Sequence, residues 1–310
     1  MTGRFETSLC AGRSRSLFLI GIFLCSLIRA VAADVDGAWE PTTWNGEKAF
    51  VSTSHGWKAI VSLERGRLMH FGRAATDTNL LFAPTTQSDS ASWGGHRVWL
   101  GPQSTWSQGW PPPAAWEASA AESVAIKEGA LRLSMPDAGD GWPRLTRIYR
   151  WDGAQLRCVV ELSGGSRAAQ IIQIVQVPLD SHVQANPVSS PDAPQGYVLL
   201  PAGEVRQLTA DFVQTQHVQW LGKTLMLRHV GSVRKMGMRP QVLRASGNDS
   251  VFRVSRGAEK GRIVAEPDQG FLTQVYLGGD EPFIELEQLS PTYANAAGVS
   301  FEMVIEGLER

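Results

Sequence analysis

Short stretches of alternating hydrophobic and polar residues run through most of the chain. A period of two places one set of side chains on a core and the other set on the opposite face of a strand. Ten stretches show this pattern and are rich in Val, Ile, Leu and Thr: 59–64, 131–134, 145–150, 156–161, 171–177, 225–228, 251–254, 271–277, 283–289 and 299–305. Gly and Pro separate nearly all of them. Regularly spaced strands with such turns predict an all-β sandwich or barrel.

The first 33 residues differ from the rest of the chain. Three arginines precede an apolar run at 17–28, and small residues end the segment at Ala33. This order is typical of a secretory signal peptide, and the apolar run is shorter than the roughly 20 residues that a membrane span needs. We therefore expect cleavage after Ala32 or Ala33 and an exported protein, periplasmic or extracellular, with a single β domain at 34–310. A retained membrane anchor is the alternative.

The charge of the predicted mature chain is mildly acidic. The whole sequence has a net charge of −1, and the first 33 residues hold four Arg and one Glu, so the mature chain carries −4. No basic stripe with interleaved aromatic residues is present. Such a chain has no general attraction for nucleic acid or for anionic membranes. We expect no nucleic-acid partner and no stable membrane anchor after cleavage.

Cysteine usage excludes an intramolecular disulfide in the mature chain. Cys10 and Cys25 leave with the predicted signal peptide, and only Cys158 remains. Cys158 lies in a predicted strand, so we expect a buried, weakly reactive thiol. A reactive cysteine is the alternative.

Tryptophan is concentrated between residues 93 and 116. Five of the eleven Trp fall there, at positions 93, 99, 106, 110 and 116, together with Pro111–Pro113. Indole rings stack on the C–H faces of sugars, so Trp99 and Trp110 are candidate substrate contacts. Alternatively, the Trp/Pro cluster only closes one end of the sandwich.

Two carboxylates share one face of a predicted strand. Glu285 and Glu287 are two residues apart, so their side chains point the same way. Buried together, two carboxylates require a shared proton or a cation, and this arrangement suits acid and base catalysis. In the alternative reading they face water on an exposed sheet.

The sequence predicts no cofactor and no metal. The six His are scattered without a metal-ligand spacing, although ligands that converge in space stay possible. No Gly-x-Ser-x-Gly elbow, phosphate-binding loop or dinucleotide fingerprint is present.

Six motifs in order carry a resemblance to a known superfamily: GGHRVW at 94–99, GPQ at 101–103, WPP at 110–112, IIQIVQV at 171–177, KMG at 235–237 and IELEQLSP at 284–291. Together they resemble a branch of exported bacterial proteins, without an assigned reaction, in the galactose-mutarotase-like superfamily related to aldose 1-epimerases. The resemblance implies a large antiparallel β-supersandwich with a concave sheet face that holds carbohydrate. It does not imply a reaction, because the same fold serves epimerases, lyase domains and non-catalytic sugar binders.

The resemblance also implies site residues. Arg97 matches the Arg that grips the sugar in aldose 1-epimerases, and His96 replaces an Asn of that motif. Glu287 matches the catalytic base, with Glu285 as its alternative. The epimerase strand that supplies the catalytic His, His-x-Tyr-Phe-Asn, has no match in this chain, so His96 becomes the candidate acid.

Two further residues complete the candidate set. Gln176, in the strand near the unmatched motif, and Lys235 are candidate sugar contacts, and an ion pair of Arg97 with either Glu is the structural alternative. The resulting hypothesis is an exported carbohydrate-binding protein that acts on a sugar by acid/base chemistry of the epimerase or lyase type. A non-catalytic glycan-binding protein or an envelope structural protein is the alternative.

Overall fold

β-Strands form nearly all the regular structure. The computed structural model describes residues 36–84, 94–107, 109, 111–200, 218–229, 234–247, 250–279 and 281–309. The predicted signal peptide and Trp110 lie outside these residues. The strands are β1 Glu40–Trp44, β2 Glu47–Ser54, β3 Trp57–Ser62, β4 Arg67–Arg73, β5 His96–Gly101, β6 Ser123–Lys127, β7 Ala130–Ser134, β8 Arg144–Asp152, β9 Gln155–Ser163, β10 Ala169–Pro178, β11 His182–Ala185, β12 Tyr197–Leu200, β13 Val218–Leu221, β14 Thr224–Leu227, β15 Arg234–Met238, β16 Leu243–Gly247, β17 Ser250–Lys260, β18 Ile263–Ala265, β19 Thr273–Leu277, β20 Phe283–Tyr293 and β21 Val299–Leu308.

Helical structure in the described part of the chain is short. One helix, α1, spans Ala114–Glu117, and 3-10 turns span Gln103–Thr105 and Asp268–Gly270. None of these is long and apolar enough to cross a membrane.

The strands pair antiparallel in three sheets. A four-stranded sheet has the order β1-β2-β3-β4. A seven-stranded sheet has the order β12-β15-β19-β20-β10-β5, with β18 also paired to β20. A ten-stranded sheet has the order β13-β14-β11-β16-β17-β21-β9-β8-β7-β6. All ten alternating stretches in the sequence are strands, so the all-β prediction is confirmed. The ends differ by a few residues, as in 271–277, where the strand begins at Thr273.

The main core is formed by one face of each sheet. It joins Trp57 and Phe71 of the four-stranded sheet, Cys158 and Phe252 of the ten-stranded sheet, and Leu286 of the seven-stranded sheet. Cys158 is fully buried, as predicted, and burial raises the pKa of its thiol well above the ordinary value. Because alternate residues of each strand enter this core, the other set of residues in the seven-stranded sheet lies on the opposite face.

Two glycines fix the start of β5. Gly94 and Gly95 have φ values of 78° and 73°, a region that side chains with a Cβ rarely adopt. A Cβ on Gly95 would lie 2.1 Å from the carbonyl oxygen of Leu68. The Gly95 amide donates to Phe82, and the Gly95 carbonyl accepts from the Gln176 amide. The GG pair therefore sets the position at which β5 begins, and with it the position of Arg97.

Candidate functional site

The candidate site lies on the outer face of the seven-stranded sheet, the face opposite the main core. Its central strand is β20. Glu285 pairs in register with Gln176 on one side and Tyr276 on the other, and Glu287 pairs with Ile174 and Gln274. Because neighbouring residues in register share a face, these side chains lie together. We call this set, with Arg97 and Lys235 from the flanking strands, the carboxylate face.

Arg97 reaches Glu285 from β5, which is separated from β20 by β10. Its Nη1 donates to Glu285 Oε1 at 2.7 Å. Arg97 is 2% exposed and Glu285 is 6% exposed, so water screens this pair little. The structural alternative for Arg97, an ion pair with one of the two carboxylates, is therefore present, and the pair belongs to the candidate site itself.

Lys235 reaches Glu287 from the opposite side. It lies on β15, separated from β20 by β19, and its Nζ donates to Glu287 Oε2 at 3.0 Å. Glu287 is 2% exposed. The reading in which both carboxylates face water is therefore wrong: hydrophobic and polar neighbours on the adjoining strands enclose them, and each carboxylate has its own cation.

Burial gives Glu285 a higher pKa than an ordinary carboxyl has. It raises the pKa of Glu285 to about 7, with the Arg97 charge opposing this rise and the Glu287 charge adding to it. Glu285 is therefore protonated in a large fraction of molecules near neutral pH. A carboxyl in this range suits a general acid at neutral pH.

Glu117 of α1 holds the other side of the Arg97 guanidinium. Glu117 Oε2 accepts from Arg97 Nε at 3.2 Å, and Oε1 lies 2.8 Å from Nη2. Trp99 Nε1 donates to Glu117 Oε2 at 2.7 Å, and the Arg97 guanidinium lies 4.5 Å from the centre of the Trp99 ring. Glu117 and Trp99 thus fix the plane of the guanidinium and direct Nη1 at Glu285. Trp99, which the sequence suggested as a sugar contact, therefore contacts Arg97 and Glu117 in the structure.

Two buried arginines hold α1 in turn. Arg147 Nη2 donates to the Trp116 carbonyl at 2.6 Å, and Arg67 Nη2 donates to the Glu117 carbonyl. The Arg67 and Arg97 charges lower the pKa of Glu117, although its burial acts in the opposite direction. Glu117 is therefore an ionised partner for Arg97.

Gln176 joins the carboxylate face through one half of its amide. Its Nε2 donates to Glu285 Oε1 at 2.9 Å. Its Oε1 is buried and has no hydrogen-bond partner in the described part of the chain. A buried acceptor without a partner is costly, and a hydroxyl from a bound molecule would satisfy it.

Tyr276 is the most accessible of the aligned residues on β19. It is half-buried and lies between Glu285 and Lys235 in register. Burial, with the neighbouring Glu285 charge, raises the pKa of Tyr276 to about 12. Its hydroxyl therefore stays protonated and is available as a hydrogen-bond donor.

His96 lies on the other face of the sheet. It precedes Arg97 on β5, so its side chain enters the core, where Nε2 contacts Gln173 Oε1 at 3.0 Å and Nδ1 contacts the Tyr149 hydroxyl at 3.3 Å. Burial, together with the Arg147 charge, lowers the pKa of His96 to about 3. The structure therefore separates this imidazole from the carboxylate face.

Of the eight predicted site residues, the structure brings five together on the carboxylate face. The five are Arg97, Gln176, Lys235, Glu285 and Glu287. Trp99 contacts Arg97 beside that face, His96 lies on the other face of the sheet, and Trp110 lies outside the described residues. Among the residues that the structure describes, no group of three or more His, Cys, Asp and Glu is placed to hold a metal ion.

Sequence reasoning missed Glu117 and Tyr276. Glu117 is the only charged residue between Arg97 and Glu122, a signal that was available in the sequence. Tyr276 alternates with the core residues Val275 and Leu277, so the period-two pattern placed it on the polar face.

Comparison with solved structures identifies the fold. A candidate aldose 1-epimerase from Escherichia coli K12 matches with a TM-score of 0.55 at 13% identity, covering 84% of this chain and 99% of that one. A galactose mutarotase-like protein from Lactobacillus casei matches with a TM-score of 0.53 at 11% identity, covering 84% and 99%. A candidate mutarotase from Salmonella typhimurium matches with a TM-score of 0.51 at 11% identity, covering 93% and 100%.

The chain has the galactose mutarotase-like fold. No protein-family model matches the sequence, and no curated protein sequence matches it. The predicted mutarotase-like β-sandwich is therefore confirmed as a fold, and membership of the exported branch stays a prediction. At these identities the mutarotase-like fold does not carry a reaction with it.

Proposed function

We propose that this protein binds a sugar on the carboxylate face and transfers protons there with Glu285 and Glu287. The observation that carries the proposal is the pairing of two buried carboxylates with two cations on one face of β20. Burying four charged groups is expensive, and a hydrophobic substitute is often as stable. Their presence together with the unpartnered Gln176 Oε1 favours a ligand-binding role.

The two carboxylates suit different steps. With its raised pKa, Glu285 supplies a proton near neutral pH, and Glu287, paired with Lys235, is the base. For an aldose, Glu287 would take the proton of the anomeric hydroxyl while Glu285 protonates the ring oxygen, so that the C1–O bond to the ring oxygen breaks and the open chain re-closes on either face. In this scheme Glu285 replaces the imidazole that the sequence assigned to His96.

The remaining residues position the sugar. Gln176 Oε1 accepts a hydrogen bond from a sugar hydroxyl, and the Tyr276 hydroxyl donates one to a sugar oxygen. When a ligand enters, Arg97 and Lys235 exchange part of their hydrogen bonding to Glu285 and Glu287 for hydrogen bonds to the sugar. Each exchange replaces a charge-assisted hydrogen bond by another, which keeps the buried groups satisfied.

Polarimetry with purified protein tests the chemistry. The mutarotation of α-D-glucose, α-D-galactose and other aldoses is followed with the wild type and with Glu287→Gln and Glu285→Gln. We expect a rate loss of about 100-fold or more in each variant. The exposed Glu128→Gln is the matched control and leaves the rate unchanged. An observed rate that survives Glu287→Gln contradicts the assignment.

A non-catalytic sugar-binding protein is the second candidate. The placement of His96 favours it, because the imidazole faces the core and stays neutral. Binding of a glycan without mutarotation or cleavage of any sugar, together with weaker binding by Lys235→Met, would support this candidate over the enzyme.

Export is part of the proposal and rests on the pattern of residues 1–33. N-terminal sequencing of the protein from a cell fraction tests it. We expect a mature chain that starts at Ala33 or Asp34 in the periplasm or medium. An uncut chain in the cytoplasm contradicts it.

A further inference from the structure

Arg97 is shared between two carboxylates that lie on different elements. Its Nε and Nη2 face Glu117 of α1 at 3.2 and 2.8 Å, and its Nη1 faces Glu285 of β20 at 2.7 Å. Nε and Nη2 form a paired edge of the guanidinium that matches the two oxygens of a carboxylate, whereas Nη1 gives Glu285 one hydrogen bond. Glu117 therefore holds the larger part of this cation.

The second carboxylate of β20 does not share its cation in this way. Among the residues that the structure describes, Lys235 forms an ion pair with Glu287 alone, with 3.0 Å between Nζ and Oε2. The two carboxylates of the carboxylate face thus differ in how many acceptors compete for the cation of each.

Glu117 is held firmly in its place beside Arg97. Trp99 Nε1 donates to Glu117 Oε2 at 2.7 Å, and Arg67 Nη2 lies 3.4 Å from Glu117 Oε1. Burial opposes the ionisation of Glu117, but the Arg67 and Arg97 charges outweigh it and lower the pKa of this carboxyl. Glu117 is therefore a fixed negative charge on the side of Arg97 that does not face Glu285.

A negative charge in this position acts on Glu285 in two ways. It attracts the Arg97 guanidinium, which weakens the pull of that cation on Glu285, and it repels a second carboxylate directly. Both effects favour the protonated form of Glu285. Because Glu117, Arg97 and Glu285 are all buried, water screens these interactions little.

The other groups around Glu285 do not account for its proton by themselves. Burial is the largest cause of its raised pKa of about 7, the Arg97 charge offsets only part of that rise, the Glu287 charge adds to it and the Lys235 charge opposes it. The groups that face Glu285 from the surrounding strands are Arg97 of β5, Gln176 of β10, Lys235 of β15, Tyr276 of β19 and Glu287 of β20. Incomplete compensation by Arg97 is the result expected of a cation that Glu117 also holds.

We propose that Glu117 is a positioning residue for the acid of the carboxylate face: by holding the paired edge of the Arg97 guanidinium, it prevents Arg97 from neutralising Glu285 fully and so keeps Glu285 able to carry a proton. The inference rests on the proposed function, because it concerns the acid of that reaction. In this role Glu117 acts through Arg97, without contact with the sugar.

Carbon-13 NMR of labelled Glu carboxyls in the free protein tests the inference and needs no substrate. The midpoint of the Glu285 resonance, identified by its absence in Glu285→Gln, is compared between the wild type and Glu117→Gln. This change removes the charge and keeps the size of the side chain. Glu122→Gln, at an exposed carboxylate that follows α1, is the matched control.

The two partners of the Glu117–Arg67 ion pair should have opposite effects. Glu117→Gln should lower the Glu285 midpoint by about one pH unit or more, because the competing negative charge is gone. Arg67→Met removes a second cation beside Glu117, so Glu117 attracts Arg97 more strongly and the midpoint should rise. The exposed control Glu122→Gln should leave the midpoint unchanged.

Opposite directions separate an effect of charge from a loosened structure. Water that enters a loosened site lowers the midpoint toward the ordinary 4.5 in both variants, and this result overturns the inference. If Arg67→Met does not fold, exchange of the Arg97 Nε–H proton with water in Glu117→Gln decides: slow exchange with a lowered midpoint supports the inference, and fast exchange overturns it. A midpoint that stays or rises in Glu117→Gln also overturns it.

Polarimetry distinguishes this inference from the proposed function. If Glu117→Gln lowers the midpoint and the wild type mutarotates no aldose, the role of Glu117 stands and the proposed function fails. If mutarotation depends on Glu285 and the midpoint does not respond to Glu117→Gln, the proposed function stands and the role of Glu117 is overturned. Where both hold, Glu117→Gln should also move the high-pH limb of kcat/KM to lower pH by the same amount.

Discussion

Arg97 and Glu285 form a buried ion pair at 2.7 Å, although the strands that carry them are separated by β10. Lys235 and Glu287 form the corresponding pair across β19 at 3.0 Å. The two cations thus approach β20 from opposite sides and divide its two carboxylates between them. This division gives each carboxyl a different electrostatic environment, which is what a pair of acid and base requires.

Loss of Arg97 should destabilise the fold strongly. Arg97→Met removes the buried cation that Glu285 and Glu117 share and leaves the ionised Glu117 with Arg67 as its remaining ion-pair partner. We expect a loss of about 3–5 kcal/mol in the free energy of unfolding by urea denaturation. The double variant with Glu117→Gln should recover part of that loss, because the buried carboxylate that lost a cation is gone. Arg144→Met is the control: it removes pairs with Glu122 and Asp137 in which all the side chains are about half exposed, at a cost below about 1 kcal/mol. Equal costs for Arg97→Met and Arg144→Met would contradict the buried pair.

Glu285 should titrate near neutral pH. Its folded pKa of about 7 exceeds the ordinary 4.5, so its contribution to stability is fully present below about pH 4.5 and is lost as the pH rises through 7. Carbon-13 NMR of labelled Glu carboxyls should show one resonance with a midpoint near 7. That resonance should be absent in Glu285→Gln. A midpoint below 5 for Glu285 would mean that Arg97 outweighs burial.

His96 should make the protein sensitive to acid. Its folded pKa of about 3 lies below the ordinary 6.5, so the unfolded chain binds a proton below about pH 6.5 and the folded chain does not until about 3. Stability therefore falls as the pH drops through this window, by up to about 1.4 kcal/mol per pH unit. Urea denaturation at pH 7, 6 and 5 should show a smaller fall in His96→Gln than in the wild type.

Two other groups, His70 and Glu285, also change the stability over this pH range. Burial, with the Lys58 charge, lowers the pKa of His70 to about 4, so His96→Gln keeps part of the dependence. Glu285 acts in the opposite direction between about pH 4.5 and 7, and Glu285→Gln should therefore steepen the fall. His182→Gln, at an exposed position, is the control. An identical fall in His96→Gln and in the wild type would place the imidazole in contact with water.

Gly95→Ala should destabilise the fold by more than the strain of a positive φ angle accounts for. Gly95 and Gly129 have nearly equal φ values of 73° and 75°, but an added Cβ meets the Leu68 carbonyl at Gly95 and nothing within 4 Å at Gly129. We expect a loss of about 1 kcal/mol for Gly129→Ala and roughly 3 kcal/mol or more for Gly95→Ala, measured by urea denaturation. Equal losses would show that the close approach is absent.

Much of the fold was readable from the chain itself. The alternation in stretches such as 171–177 and 283–289 reports which side chains enter a core, because every second residue of a strand points to the same face. The same rule placed Glu285 and Glu287 together. It also separates His96 from Arg97, since adjacent residues in a strand point to opposite faces, yet the motif resemblance led us to group them.

The tertiary structure decided which distant residues meet. Glu117 lies in a four-residue helix with no motif of its own, and only the packing of α1 against β5 brings its carboxylate to Arg97 and Trp99. Lys235 reaches Glu287 because β15 lies two strands from β20 in the sheet, an order that no local pattern encodes. The alternation of side chains between the two faces of a strand can be read directly from the sequence. The order and register of the strands depend on the packing of the whole chain, and these decided the partners of each charge.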